Sequence, residues 1–322
     1  MANPRKVAAT VLTKIEKDFA YSNIALAAAF KDTDITNEEK KLASRIVYGV
    51  LDRKLTLDYV LSRFMKTPIK KTAPFTLSVL RSALYQIMFM DKIPESAAVN
   101  EAVKLIKKSK ENRNAGFVNG VLRSILRAEQ LLPQGETVED LSVIYSCPLW
   151  IVESFVKDYG KDNTINLLKE SLKAPAVTLR VNNTRITADE LRVLLDKGGN
   201  TAQNGDTENA LVLVKGTDIA ENELFKKGLF FVQDMASQKA IEVLNPKKGE
   251  RVLDMCAAPG GKSFSMACNM GNEGEIVACD LYEHKIKLIR HEAERLGLNI
   301  IKPLLNDATV YMTGLGEFDA II

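Results

Sequence analysis

The sequence has few of the residues that build metal centres and no segment that could cross a membrane. It contains four cysteines and two histidines, with no Cys-x-x-Cys pair. This spacing excludes a thiol-rich zinc site and a disulfide scaffold. No apolar run approaches the roughly 18 residues that a membrane span needs, and the N-terminus lacks the apolar block of a secretory signal. We therefore expect a cytoplasmic protein that binds neither metal nor membrane.

Positive charge is concentrated in the N-terminal part of the chain. Residues 1–130 contain 23 Lys and Arg against 13 Asp and Glu, whereas residues 131–322 contain 21 against 28. A positive excess of this size raises affinity for a polyanion such as RNA, although it also suits a merely soluble domain. Lys104, Lys107 and Lys108 form a basic run near the end of a predicted helix, where compensation of the helix dipole is the alternative to RNA binding.

The pattern of apolar residues divides the chain into three parts. Through residues 1–130 apolar residues recur at three- and four-residue steps, which predicts an all-α bundle. The polar stretch 131–147 is predicted to be a linker. Three helical and three strand-like segments in 148–232 predict a small α+β domain. From 233 to 322 strands and helices alternate, which predicts an incomplete Rossmann-like domain with a parallel sheet.

The loop after the strand that ends at Asp254 is the most informative segment of the sequence. It reads Cys-Ala-Ala-Pro-Gly-Gly-Lys over residues 256–262. Gly260 and Gly261 open a helix, where they permit close approach of the backbone to a ligand and direct N–H groups toward it. This pattern predicts binding of a nucleotide-like molecule.

Three classes of nucleotide-like ligand each require a different loop sequence. A dinucleotide site needs Gly-x-Gly-x-x-Gly, which is missing. A phosphate-binding P-loop fits Gly261-Lys262-Ser263, but Cys256 stands where its first glycine should be. S-adenosylmethionine needs a small-residue loop after the first strand and an acid after the second strand to hold the ribose hydroxyls. Asp280 meets that need, and Asp307, after the third strand, can face the adenine amino group. Each acid alone could be only a helix cap, but the series favours S-adenosylmethionine.

The same segments resemble a known enzyme family. Residues 254–262 resemble the cofactor motif of RNA cytosine-C5 methyltransferases, and residues 231–238 are similar to the segment that precedes this motif. Residues 179–185 are similar to the RNA-facing strand of these enzymes. Residues 95–104 and 116–123 resemble the NusB antitermination domain. The combination is similar to the RsmB (Sun, Fmu) type, which modifies small-subunit ribosomal RNA.

The resemblance implies a cofactor, a partner and a reaction. These are S-adenosyl-L-methionine, 16S ribosomal RNA, and methyl transfer to cytosine C5 after a cysteine thiolate adds to C6. It implies RNA contacts for Arg180, Asn182 and Arg185, although such residues on a strand are also typical of a solvated face. It implies cofactor binding by Cys256, Ala257, Ala258, Pro259, Gly260, Gly261, Lys262, Asp280 and Asp307.

The sequence departs from this family at the catalytic cysteines. In the family they lie after strand four, in Asp-Ala-Pro-Cys, and after strand five, in Thr-Cys-Ser, whereas no cysteine follows Cys279 here. We therefore assign no catalytic residue, expect the nucleophile to lie beyond Ile322, and expect this truncated chain to be inactive and monomeric. Cys256 is interpreted as a packing residue of the loop. The alternatives are a non-catalytic RNA-binding module, a P-loop NTPase, and methyl transfer to a protein or small molecule.

Overall fold

The structure, a computed structural model, divides into two compact units, Met1–Ala174 and Pro175–Ile322. It describes residues 3–173, 175–216 and 219–322. Within those residues the first unit is all-helical and the second contains two four-stranded sheets. None of the helices described is both long and apolar enough to cross a membrane.

Seven helices of the first unit enclose one large apolar core, as the helical periodicity predicts. Helix α5 contributes Leu80 and Leu84, which are fully buried, and begins at Pro74, where a missing N–H costs nothing. The helices are α1 Pro4–Asp18, α2 Ser22–Lys31, α3 Asn37–Asp52, α4 Lys54–Phe64, α5 Pro74–Phe89, α6 Glu95–Lys107 and α7 Ala115–Leu126. The all-α prediction for this part of the chain is confirmed.

Three further helices complete the first unit: α8 Val138–Tyr145, α9 Leu149–Tyr159 and α10 Lys161–Ser171. They share a small core of Leu141, Val152 and Leu168. The Thr56 hydroxyl of α4 donates to the Val143 carbonyl of α8 at 2.6 Å, which joins the three helices to the larger bundle.

One expectation is corrected by these helices. Residues 131–147 are not simply a linker, because they contain α8, which begins at a capping box formed by Thr137 and Asp140. Two helices expected in the small α+β domain, α9 and α10, pack on α8 and fall in the first compact unit, and the expected domain boundary at residue 148 stays a prediction.

The first sheet of the second unit is antiparallel, in the order β2-β3-β1-β4. Its strands are β1 Val177–Val181, β2 Thr201–Asn204, β3 Ala210–Lys215 and β4 Phe230–Val232. Helices α11, Ala188–Lys197, and α12, Glu223–Lys226, accompany it. The sequence did not predict β2, because its Thr-Ala-Gln-Asn composition has no apolar alternation. The α+β prediction is otherwise confirmed.

The second sheet is parallel, in the order β7-β6-β5-β8. Its strands are β5 Arg251–Asp254, β6 Glu275–Asp280, β7 Ile301–Leu305 and β8 Ala320–Ile321. Its helices are α13 Met235–Leu244, α14 Gly261–Asn269 and α15 Glu283–Leu296. The predicted parallel sheet is confirmed, and the carboxyl ends of β5, β6 and β7 meet at one edge, where ligands of such sheets bind.

Candidate cofactor site

Asp254, at the carboxyl end of β5, closes the loop onto α14. It is buried, and its Oδ2 accepts a hydrogen bond from the Ser263 hydroxyl at 2.7 Å. Burial raises the pKa of the Asp254 carboxyl, while the Ser263 hydrogen bond and the charge of Lys262 act in the opposite direction. The side chain therefore fixes the start of α14 and is directed inward.

Gly260 gives the loop its path into α14. Its φ of 113° lies in the left-handed region, and a Cβ added there would lie 2.2 Å from Cζ of Phe264. The Phe264 ring is itself fixed by an edge contact with Phe231, with 5.7 Å between ring centroids. A Cβ at Gly261 would make only ordinary contacts, the nearest at 3.7 Å to Gln233. Position 260 thus requires glycine for backbone and packing reasons together.

The N-terminus of α14 is open toward the loop. This nine-residue helix has no side-chain cap at Gly260, so its first-turn N–H groups keep their capacity to bind an anion. The positive end of the helix dipole favours a carboxylate or phosphate at this position.

Asp280, at the carboxyl end of β6, ties the loop to the neighbouring strand. Its two carboxylate oxygens accept from the N–H groups of Ala258 at 3.2 Å and Tyr282 at 3.3 Å. Lys285 Nζ lies 3.6 Å from Oδ1. A carboxylate oxygen can accept more than one hydrogen bond, so Asp280 can also accept from hydroxyl groups of a ligand.

Asp307 lies at the same edge of the sheet but is exposed. The N–H and hydroxyl of Thr309 donate to its Oδ1 at 2.9 and 2.7 Å, and these bonds lower the pKa of the carboxyl. The Asn306 N–H donates to the Asp280 carbonyl at 3.0 Å, which brings the end of β7 beside the end of β6. The structure thus brings Asp280 and Asp307 to one edge, as their positions in the sequence predict.

The small residues of the loop line the space between the strand ends. Ala257 is buried, and its N–H donates to the Cys279 carbonyl at 2.8 Å, whereas Cys256 is exposed. The Ala258–Pro259 peptide is cis. No group of three or more His, Cys, Asp or Glu that could hold a metal occurs among residues 3–173, 175–216 and 219–322.

Gln233 is a site residue that sequence reasoning missed. Its Nε2 donates to the Gly261 carbonyl at 3.0 Å, and its Oε1 accepts from the Ser265 hydroxyl at 2.5 Å. Its backbone N–H donates to the Thr178 carbonyl of the antiparallel sheet at 3.0 Å. Gln233 thus joins that sheet to the first turn of α14. The resemblance of residues 231–238 to a family segment marked this stretch without showing what it contacts.

Two of the three residues expected to face RNA are interior residues. Asn182 is fully buried, and its Nδ2 donates to the carbonyls of Gly228 and Leu296 at 2.9 Å each. Arg180 is also buried, and its Nη2 donates to Asn269 Oδ1 at 2.6 Å. Their assignment to RNA contact is wrong, because helices of the parallel sheet cover the face of β1 that was expected to meet solvent.

The remaining candidate RNA contacts are exposed. Arg185 lies at the surface, although its Nη1 donates to the carbonyl of Lys227 at 2.7 Å. Lys104 pairs with Glu101 at 2.8 Å. Lys107 and Lys108 are exposed at the end of α6.

Three of the four cysteines are held as thiols. Burial raises the pKa of Cys147 and Cys279, and raises that of Cys268 to about 12. Cys268 lies in α14, inside the apolar core of the parallel sheet. Because the thiolate is the reactive form, none of these three is prepared for nucleophilic attack.

Family models match all three parts of this architecture. The NusB family matches residues 2–127, the RsmF/B-like ferredoxin-like domain matches 147–220, and the 16S rRNA methyltransferase RsmB/F model matches 241–322.

Individual relatives agree with the family models. The probable ribosomal RNA small subunit methyltransferase B of Bacillus subtilis is 39% identical over 309 residues, which cover 94% of this chain and 68% of the relative. The corresponding protein of Synechocystis is 31% identical over 316 residues, 96% of this chain and 70% of that one. The solved structure titled PH0851 covers the whole chain and 74% of its own, with a TM-score of 0.78 and 24% identity, and shares the fold.

Together, these matches define the class of ribosomal RNA methyltransferases, which combine a helical NusB unit, a ferredoxin-like sheet and a parallel sheet with this loop. The chain belongs to the 16S rRNA methyltransferase RsmB/F family.

Proposed function

We propose that this chain binds S-adenosyl-L-methionine at the carboxyl edge of the parallel sheet and serves methylation of cytosine C5 in 16S ribosomal RNA. The observation that supports it best is the combination of an uncapped α14 N-terminus after Gly260 with Asp280 at the end of the adjacent strand. The first group suits the amino-acid end of the cofactor and the second suits its ribose.

The chain's own residues divide the work of binding and orientation. When bound, the cofactor supplies its sulfonium methyl group to the nucleobase. The N–H groups at the start of α14, with Lys262, hold the amino-acid carboxylate. Asp280 accepts from the ribose hydroxyls, and Asp307 accepts from the adenine amino group. The remaining loop residues, Cys256, Ala257, Ala258 and Pro259, form a small wall that allows close approach.

Methylation at C5 needs a thiolate to add at C6, since C5 is not nucleophilic enough by itself. Full burial raises the pKa values of Cys268 and Cys279, and partial burial raises that of Cys147. Cys256 is exposed in the cofactor loop, so it is not the packing residue expected, and we assign it to the wall of the cofactor site. We therefore propose no nucleophile among the four cysteines, and we expect this 322-residue chain alone to bind cofactor without transferring methyl groups.

The RNA partner is assigned to the helical unit. Its positive excess and its exposed Lys107 and Lys108 support binding to RNA phosphates. The ribosomal RNA named in the relatives' titles gives the class of RNA.

Calorimetry tests the cofactor assignment directly. The chain should bind S-adenosylhomocysteine, and Asp280→Ala should weaken binding by about 1–3 kcal/mol, because the ribose hydroxyls then lose their acceptor. Asp196→Ala, on the exposed surface of α11, is the control and should leave affinity unchanged. Tight binding of ATP with Mg²⁺ and no binding of S-adenosylhomocysteine would replace this proposal with a P-loop function.

A covalent trap tests the assignment of the cysteines. The chain is incubated with labelled cofactor and ribosomal RNA that contains 5-fluorocytosine, and a denaturing gel is examined for a protein–RNA adduct. We expect no adduct. An adduct that disappears in Cys256→Ala would show that Cys256 is the nucleophile and would overturn its assignment to the wall of the cofactor site.

A further inference from the structure

The helical unit contains a cleft beside the basic run of Lys104, Lys107 and Lys108, and its apolar interior has no role in the proposed function so far. It lies between α1, α2 and α6 and has a volume of about 530 Å³. Buried Val7 and Leu105, with half-buried Phe75, form its apolar part. A cavity of this size is large enough for a nucleotide.

Hydrogen bonds to Thr76 fix the backbone beside Phe75 at the start of α5. Glu111 Oε2 accepts from both the N–H and the hydroxyl of neighbouring Thr76, at 2.7 and 2.6 Å. Asn114 Nδ2 donates to the same hydroxyl at 2.9 Å. An aromatic ring beside an apolar floor offers a stacking surface to a nucleobase, whatever the base.

The polar rim of the cleft carries more free positive than negative charge. Glu101 already accepts from Lys104 at 2.8 Å and Asn3 at 3.2 Å, and the Lys104 hydrogen bond lowers the pKa of its carboxyl. Lys6 and Lys108 are exposed at the rim, and within the described part of the chain no ion pair is formed by either. Asp32 is the remaining acid.

The geometry points to this cleft as a binding site for one nucleotide of single-stranded RNA, with the base on Phe75 and the flanking phosphates on Lys6 and Lys108. The inference rests on the proposed function, because it takes RNA as the partner. A base paired in a duplex cannot leave its stack to enter a cleft without loss of pairing energy. The site should therefore select unpaired RNA, whereas a flat basic surface would bind duplex and single strand alike.

Fluorescence anisotropy with the full chain and a labelled 12-nucleotide oligocytidine, over a range of KCl concentrations, tests the site. Lys6→Gln with Lys108→Gln should lower affinity about tenfold at low salt and reduce the slope of log affinity against log salt by about 1.4, since each phosphate contact on a single strand contributes about 0.7. Lys14→Gln with Lys17→Gln, exposed on α1 outside the cleft, removes the same charge and should change the slope by less than half as much.

A second variant tests the base rather than the phosphates. Thr10 is exposed on the cleft wall, so Thr10→Trp fills the cleft without removing charge and should weaken binding about fivefold or more, as expected when a base loses its stacking position. The inference is overturned if the two lysine pairs behave alike, if Thr10→Trp binds as the wild type does, or if a 12-base-pair RNA duplex binds as tightly as the single strand. If the wild type binds no RNA at all, the RNA part of the proposed function fails with it, and cofactor binding measured on the same protein shows that the protein is folded.

Discussion

The two sheets of the second unit use buried polar side chains in different ways. In the parallel sheet, Asp280 lies at a strand end and accepts from the N–H groups of Ala258 and Tyr282, at the edge proposed to bind the ligand. In and just after the antiparallel strands, Arg180, Asn182 and Gln233 are buried, and each bonds to α14 or α15. The comparison indicates a division of roles in which one sheet presents the groups proposed to bind the ligand and the other fixes the helices beside them.

The largest loss of stability is expected when the most deeply buried of these supporting side chains, Asn182, is replaced. Asn182→Leu leaves the carbonyls of Gly228 and Leu296 without their partner and should lower the free energy of unfolding by about 2–4 kcal/mol. Urea denaturation of the full chain measures the loss. Asn183→Leu, at the exposed neighbouring position, is the control and should change stability by less than about 0.5 kcal/mol. Equal effects at both positions would remove the structural role given to Asn182.

Replacement by alanine should affect the two glycines of the cofactor loop differently. Gly260→Ala places a Cβ against the Phe264 ring at a positive φ. It should lower the free energy of unfolding by about 1–3 kcal/mol and also weaken cofactor binding. Gly261→Ala meets only ordinary contacts at a helix start, so the melting temperature should stay the same or rise slightly. Thermal unfolding of the two variants checks this, and a Gly260→Ala protein as stable as the wild type would contradict it.

Gln233 tests the comparison further, because it joins the antiparallel sheet to the first turn of α14 at the candidate cofactor site. Gln233→Leu removes the hydrogen bonds to Gly261 and Ser265. We expect about a tenfold loss of affinity for S-adenosylhomocysteine, which corresponds to about 1.4 kcal/mol. Gln238→Leu is a matched control, since Gln238 is equally buried but bonds to Gln233 and Thr207. If both variants lose stability and affinity in the same proportion, Gln233 has no specific role in positioning the loop.

The smallest effect concerns the pH dependence of stability. Burial raises the pKa of Asp254 above its ordinary 3.8, so the folded state binds the proton more tightly than the unfolded state. This contribution is complete at low pH and is lost as the pH rises from about 3.8 through the raised pKa. Asp254→Asn keeps an acceptor for Ser263, and its stability relative to the wild type should rise over that range. Asp196→Asn should show no such trend in melting temperature.

The prediction of the site from sequence depended on strand ends. Asp280 and Asp307 could be placed at one edge because parallel strands bring their carboxyl ends together. The residues of β1 could not be placed, because the alternation in Val-Thr-Leu-Arg-Val predicts one solvated face, whereas four of its five residues are buried. That burial comes from helices far along the chain, which no local pattern in β1 records. For the same reason, the sequence indicated Gln233 only as part of a segment that resembles the family, and not as a contact of α14.

The bonds of Asn182 and Gln233 also set a limit for protein engineering. A designer seeking a minimal cofactor-binding module would naturally cut before α13 and keep only the parallel sheet. Such a cut removes both Asn182 and Gln233, so the Leu296 carbonyl at the end of α15 and the Ser265 hydroxyl of α14 would lose these partners. The smallest useful module therefore begins before β1, at about residue 175.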